Sequence, residues 1–216
     1  MLTLRYCRRA ARVVTLCVAL TSASHIHAAA DHPMRRATAA EVDSIKARTA
    51  STFKDNDNFP VELTATLKPE KPLYWSAPQG GRLLALFTLR YKGAAYGSCR
   101  LVTVENGEDT PILVDLPSDV GADNCRGFSD VRYLDINGDG KLDIATSMSI
   151  KSNSFEGYVD QQVVYISNAD KAGGYCYSAT ASRNLEPAVM GSTDKVRQAL
   201  NRERKRLGIA QFECAQ

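Results

Sequence analysis

The chain has 216 residues, six cysteines and a formal net charge of +3. Four arginines and no acid fall in its first thirty residues, so residues 31–216 carry a net charge of −1. That balance removes the electrostatic case for a nucleic-acid partner.

Arg5, Arg8, Arg9 and Arg12 precede the apolar run Val13–Leu20, and Ala28-Ala29-Ala30 offers a small-residue cleavage site before Asp31. This order reads as a secretory signal peptide over 1–30. The run is shorter than the ~20 residues a spanning helix needs, so no transmembrane segment is expected. Leu16 before Cys17 argues against lipoprotein processing, and Arg8-Arg9 lacks the rest of a twin-arginine pattern. General export to the periplasm or medium follows. Residues 31–216 suit one disulfide-stapled domain with its own core, opening on a loose leader over 31–37.

Thr38-Ala-Ala-Glu41 forms a capping box, and Val42, Ile45, Thr49 and Phe53 share a helical face. A helix is expected over 38–53, stopped by the polar loop 54–60; Asp55 and Asp57 read as plain loop. The period then changes to two. Strands are expected over Val61–Leu67, Arg82–Tyr91, Ser98–Glu105 and Asp109–Leu116. Leu83–Phe87 is almost wholly apolar and reads as a central strand buried on both faces. Asn106-Gly107 suits a two-residue hairpin turn.

Phe128–Leu134 reads as a strand entering an acidic loop. Beyond it Leu142, Ile144, Thr146, Met148 and Ile150 alternate with Asp143, Ala145, Ser147 and Ser149, as in a half-buried strand. Tyr158–Ser167 is a further strand and 168–174 a turn before Cys176. A last helix is expected over 192–207, stopped by Gly208. The fold class is therefore α+β, a mostly antiparallel sheet with an N-terminal and a C-terminal helix.

Cys7 and Cys17 leave with the signal. Cys99, Cys125, Cys176 and Cys214 remain, an even set that reads as two disulfides with three alternative pairings. Cys99–Cys125 and Cys176–Cys214 are favoured, because each closes a moderate loop between neighbouring elements. No two of the four form a short zinc knuckle.

The acidic loop runs Asp135-Ile-Asn-Gly-Asp-Gly-Lys-Leu-Asp143. Asp135, Asn137, Asp139 and Asp143 place side-chain oxygens along a turn whose bends fall at Gly138 and Gly140. A hard cation that takes six to eight oxygens needs such a curl. Position twelve of an EF-hand counted from Asp135 is Thr146, where a bidentate Glu belongs, and both flanks are strands. The EF-hand is excluded.

Val131–Thr146, with Val163–Asn168 and Gly173-Gly174 downstream, resembles one unit of the FG-GAP/VCBS-type repeats, in which a strand enters a D-x-[DN]-x-D-G-x-x-D loop and another leaves it. The resemblance implies a Ca²⁺ ion held by the side chains of Asp135, Asn137, Asp139 and Asp143 and the carbonyl of Lys141. These repeats usually form arrays that close into propellers; this chain has one acidic loop and too few residues for several four-stranded blades. A single loop on a small sheet is expected, with the ion stabilising the turn, not catalysing.

Other chemistry is sparse. His32 is the only histidine after residue 30, which removes Ser-His-Asp, Cys-His and His-ligated zinc mechanisms. Lys195, Arg197, Arg202, Arg204, Lys205 and Arg206 read as a solvated helix face, with Val196, Ala199, Leu200 and Leu207 turned inward. Trp75, with Tyr74 and Pro78, either packs in the core or stacks on sugar rings. The expectation is a non-catalytic exported binding module for a protein or glycan of the cell envelope, in its narrowest form an inhibitor or immunity-type protein. The alternative is a carboxylate-dependent hydrolase, for example on glycans, with Ca²⁺ as support.

Overall fold

The computed structural model describes residues 34–54, 68–77, 80–90, 95–105, 108–152, 154 and 156–215. The expected signal segment, Asp55 and Asp57, the expected strand Val61–Leu67 and the expected Asn106-Gly107 turn lie outside them.

Helix α1, Ala39–Lys54, starts at the capping box. The Glu41 N–H donates to Thr38 Oγ1 at 3.3 Å and the Thr38 N–H donates to Glu41 Oε2 at 2.8 Å. Two orphan amides of the helix start are thereby satisfied. Arg35 forks onto the same carboxylate at 2.7 and 2.6 Å. Arg35 belongs to a short strand, β1 (Met34–Arg36), and not to a loose leader. Its residues pair with Leu73, Tyr74 and Trp75 of β2 (Lys68–Ala77). Strand β2 is absent from the sequence expectation because Pro69 and Pro72 remove ladder donors. The chain accommodates them at a register shift between Glu70 and Leu73, with Lys71 at φ 42°. Trp75 points into the core at 6% exposure, so packing and not sugar stacking is its role.

Strands β3 (Gly80–Arg90), β4 (Gly97–Glu105), β5 (Ile112–Val114), β6 (Cys125–Leu134), β7 (Asp143–Lys151), β8 (Tyr158–Ser167) and β9 (Tyr175–Tyr177) complete one sheet. Its order is β1-β2-β3-β4-β6-β7-β8-β9, with β5 beside β4, and every pairing is antiparallel. Strand β5 is shorter than Asp109–Leu116 because Pro111 has no N–H for the ladder. Strand β8 has the expected limits.

The sheet is open but curls. Its inner face gathers Leu84, Leu86, Leu101, Phe128, Ile144, Met148 and Tyr165 into one cluster. The Tyr133 hydroxyl of β6 donates across the interior to the Lys71 carbonyl of β2 at 2.8 Å. Strands β4 and β6 share only the Gly97–Cys125 register pair, and the Cys99–Cys125 disulfide spans that seam.

Two helical layers cover the outer face. Ile45 of α1 packs with Ala85, Phe87, Leu89, Val102 and Val104, so β3 is buried on both sides as its sequence implies. At the other end, α2 (Ala179–Arg183) and α3 (Thr193–Leu207) cover Ala145, Val164 and Ile166. That cover buries Asp143–Met148 on both faces, where the alternation implied a half-buried strand. Ser192 caps α3 and Gly208, at φ 68°, ends it. Val196 and Leu200 point inward, whereas Leu207 is 38% exposed. The Cys176–Cys214 disulfide ties the C-terminal segment to β9. Among the described residues no helix is long and apolar enough to cross a membrane.

Candidate metal centre

Strands β6 and β7 flank the acidic loop, with Leu134 and Asp143 as their last register pair. Gly138 and Gly140 adopt φ of 75° and 77° with open space where a side chain would sit, so conformation and not crowding calls for glycine. Asp135 organises the turn. Its Oδ1 accepts the Gly138 and Asp139 N–H groups at 2.6 and 3.2 Å, and its Oδ2 accepts the Gly140 N–H at 2.9 Å.

Asp143 closes the loop from below at 1% exposure. Its Oδ2 accepts the N–H of Ile136 at 2.8 Å and of Asn137 at 3.3 Å, while Oδ1 accepts the Ser167 N–H at 2.8 Å. Burial pushes its carboxyl up to about 7, against the three amides that favour the charged form; the negative Asp139 adds to the rise. Asp139 is the loop's outer acid. Its Oδ1 accepts the Lys141 N–H at 3.0 Å and its Oδ2 lies 3.6 Å from Lys141 Nζ.

Asn137 behaves differently. It is buried, its Oδ1 accepts the Phe212 N–H at 2.9 Å, and its Nδ2 donates to the Phe212 carbonyl at 3.3 Å. Arg204 of α3 donates to the Asn137 carbonyl at 2.7 Å and to the Ala210 carbonyl at 2.9 Å. The loop is thus fastened to the C-terminal segment. Arg204 was legible in the sequence only as one of six cations, and no local signal marked Phe212 or Ser167.

The all-oxygen donor set suits a hard cation, and the carboxylates of Asp135, Asp139 and Asp143 keep lone pairs beyond those met by amides. Asn137 does not fit the ligand role in this arrangement, since both ends of its amide are engaged by Phe212. Among the described residues no three Asp, Glu, His or Cys side chains converge tightly enough to share an ion. Outward, the loop borders an open depression of about 620 Å³ to which Asp139, Lys141, Asp170 and Glu213 contribute. Asp143, sealed from solvent, is out of reach of a substrate.

Comparison with protein-family models, curated proteins and solved structures finds no match to this chain.

Proposed function

We propose that the protein is a non-catalytic binding module of the periplasm or extracellular medium, fixed in shape by its acidic loop and two disulfides. Its partner is a protein or glycan of the cell envelope. The observation that carries this reading is the closure of the loop: Asp143 is 1% exposed, and Asn137 and Arg204 bind the loop backbone to the C-terminal segment. A catalytic carboxylate or metal needs an open position facing substrate. A buried carboxylate beside a second acid, on a turn that joins two strands and a helix, is suited to holding shape. The two disulfides agree with an oxidising compartment.

Within this reading Ca²⁺ draws the Asp135, Asp139 and Asp143 carboxylates and the Lys141 carbonyl together from their present amide-facing positions, with Asn137 as the anchor of the C-terminal segment. A divalent cation would offset the mutual repulsion of Asp139 and Asp143, which a single lysine answers only from the rim. Binding to the folded state alone raises stability by mass action, ~2.7 kcal/mol at a hundredfold excess over Kd. Adding Ca²⁺ to chelated protein is therefore expected to raise Tm by several degrees, and Asp139→Ala to abolish the rise without lowering the chelated Tm. An equal rise in the variant overturns the ligand assignment; no rise in the wild type overturns the ion.

A further inference from the structure

The mouth of the curled sheet holds a second feature, remote from the acidic loop. Where the start of β2 and the end of β3 face the start of β6, a groove of about 510 Å³ opens, bordered by Lys68, Glu70, Thr88, Arg90, Arg126 and Ser149 among others. Register explains the convergence. Lys68 is the cross-strand partner of Thr88, and Arg90 follows Thr88 by two residues on the same face. From the opposite wall, β6 brings Arg126 at a register shift between Cys125 and Gly127, so the arginine stands outside the regular ladder. Bulges recur where a side chain is re-aimed at a site.

We propose that this groove binds the oxoanion group of an acidic small ligand: a carboxylate, sulfate or phosphate. The charge balance supplies the first argument. The Lys68 ammonium is matched by Glu70 at 2.6 Å, but among the described residues neither Arg90 nor Arg126 forms an ion pair. Two unmatched guanidinium forks on facing walls offer the bidentate geometry that oxoanions take. Arg126 is also held in place, its guanidinium 5.3 Å from the Tyr158 ring centre, which lowers the entropy cost of using it.

The second argument is polar. Thr88, 4% exposed, belongs to the groove wall, and among the described residues its buried Oγ1 has no hydrogen-bond partner. An unpaired buried hydroxyl costs stability, and a ligand oxygen or its bound water supplies the missing partner. Gly127 lies above it, where an added Cβ would come to 3.5 Å from that oxygen. Ligands commonly bind in the mouths of β-barrels, and the curl of this open sheet forms a similar concavity.

This inference gives the binding reading a ligand class and rests on it, but it is independent of any ion at the acidic loop. Protein stripped of divalent cations is titrated at constant ionic strength with sulfate, phosphate, galacturonic acid and neutral galactose, following amide shifts of Thr88 and Gly127 by NMR. Saturable shifts with at least one of the three anions and none with galactose are expected. A free-anion site prefers sulfate or phosphate, and a site for acidic sugars prefers galacturonic acid. Arg90→Gln/Arg126→Gln, both at exposed positions, should weaken binding at least tenfold with little change in Tm, whereas Lys195→Gln/Lys205→Gln on α3 should not. Shifts that never saturate, or equal weakening by the two pairs, would overturn the groove while leaving the calcium test standing.

Discussion

Asn137 illustrates how one side chain can serve a fold through its own amide symmetry. An asparagine presents an acceptor and a donor side by side, which match the N–H and C=O of one extended residue, here Phe212. Its burial makes both bonds costly to lose. Asn137→Ala leaves the Phe212 N–H and C=O without partners in a dry site, a loss of about 2–3 kcal/mol. Urea unfolding should show that loss, and hydrogen exchange should localise it to the residues around Phe212. A loss under 0.5 kcal/mol would mean that the disulfide, Arg204, the packing of Phe212 and the Ala215 N–H bond to Tyr177 hold the C-terminal segment without Asn137. Asp143 has the opposite economy: three backbone amides serve one carboxylate, so the loop spends its charge inward.

At the scale of the element, α1 is held by a small electrostatic assembly at its start. Glu41 accepts from Thr38 and from the Arg35 fork, and that contact draws its carboxyl down to about 2 from an ordinary 4.5. A carboxyl whose pKa is depressed on folding contributes stability that is present above the unfolded value and is lost as pH falls through the folded one. The contribution should therefore be intact at pH 5 and fade between about 4.5 and 2. Thermal melts of the wild type and Glu41→Gln should differ at pH 5 and converge toward pH 2. A gap that stays constant across this range would assign the effect to shape and not to charge. The assembly is partly exposed, so the gap will shrink with added salt. At the other end of the chain, α3 owes its place to Val196 and Leu200 beneath and to Arg204 at its flank, while Arg206 pairs with Glu203 on the surface.

For the whole molecule the weak line is the seam between β4 and β6. A single register pair, one disulfide and the bonds of Ser98 and Arg100 on β4 to Asp123, just ahead of β6, join the two halves of the sheet there, while the inner cluster draws side chains from both. Cross-links that close loops of this length contribute about 3–4 kcal/mol. Cys99→Ala/Cys125→Ala should lower stability by roughly that amount and raise amide exchange in β4 and β6 near the seam before the rest of the sheet. The shared inner core should still keep unfolding in one transition. Two separated transitions would show that the halves are independent units.

Much of this architecture is local and so was legible in the chain. The capping box, the apolar run of β3, the alternation after Asp143 and Gly208 as a stop all rest on contacts within one element or between adjacent ones, whereas the cysteine pairing, favoured among three alternatives, joins cysteines 26 and 38 positions apart. Strand β1, the proline-bearing β2 and the second buried face of β7 were not legible, because pairing and cover by distant helices decide them. The acidic loop divides the same way. Spacing alone determined its turn, its glycines and its exclusion from the EF-hand. Only the tertiary structure turned Asn137 toward Phe212, sank Asp143 below solvent and set Arg90 and Arg126 on facing walls of one groove. The reason is physical: periodicity encodes which face of an element is apolar, but a hydrogen bond or a charge facing its partner depends on which surfaces the folded chain brings together.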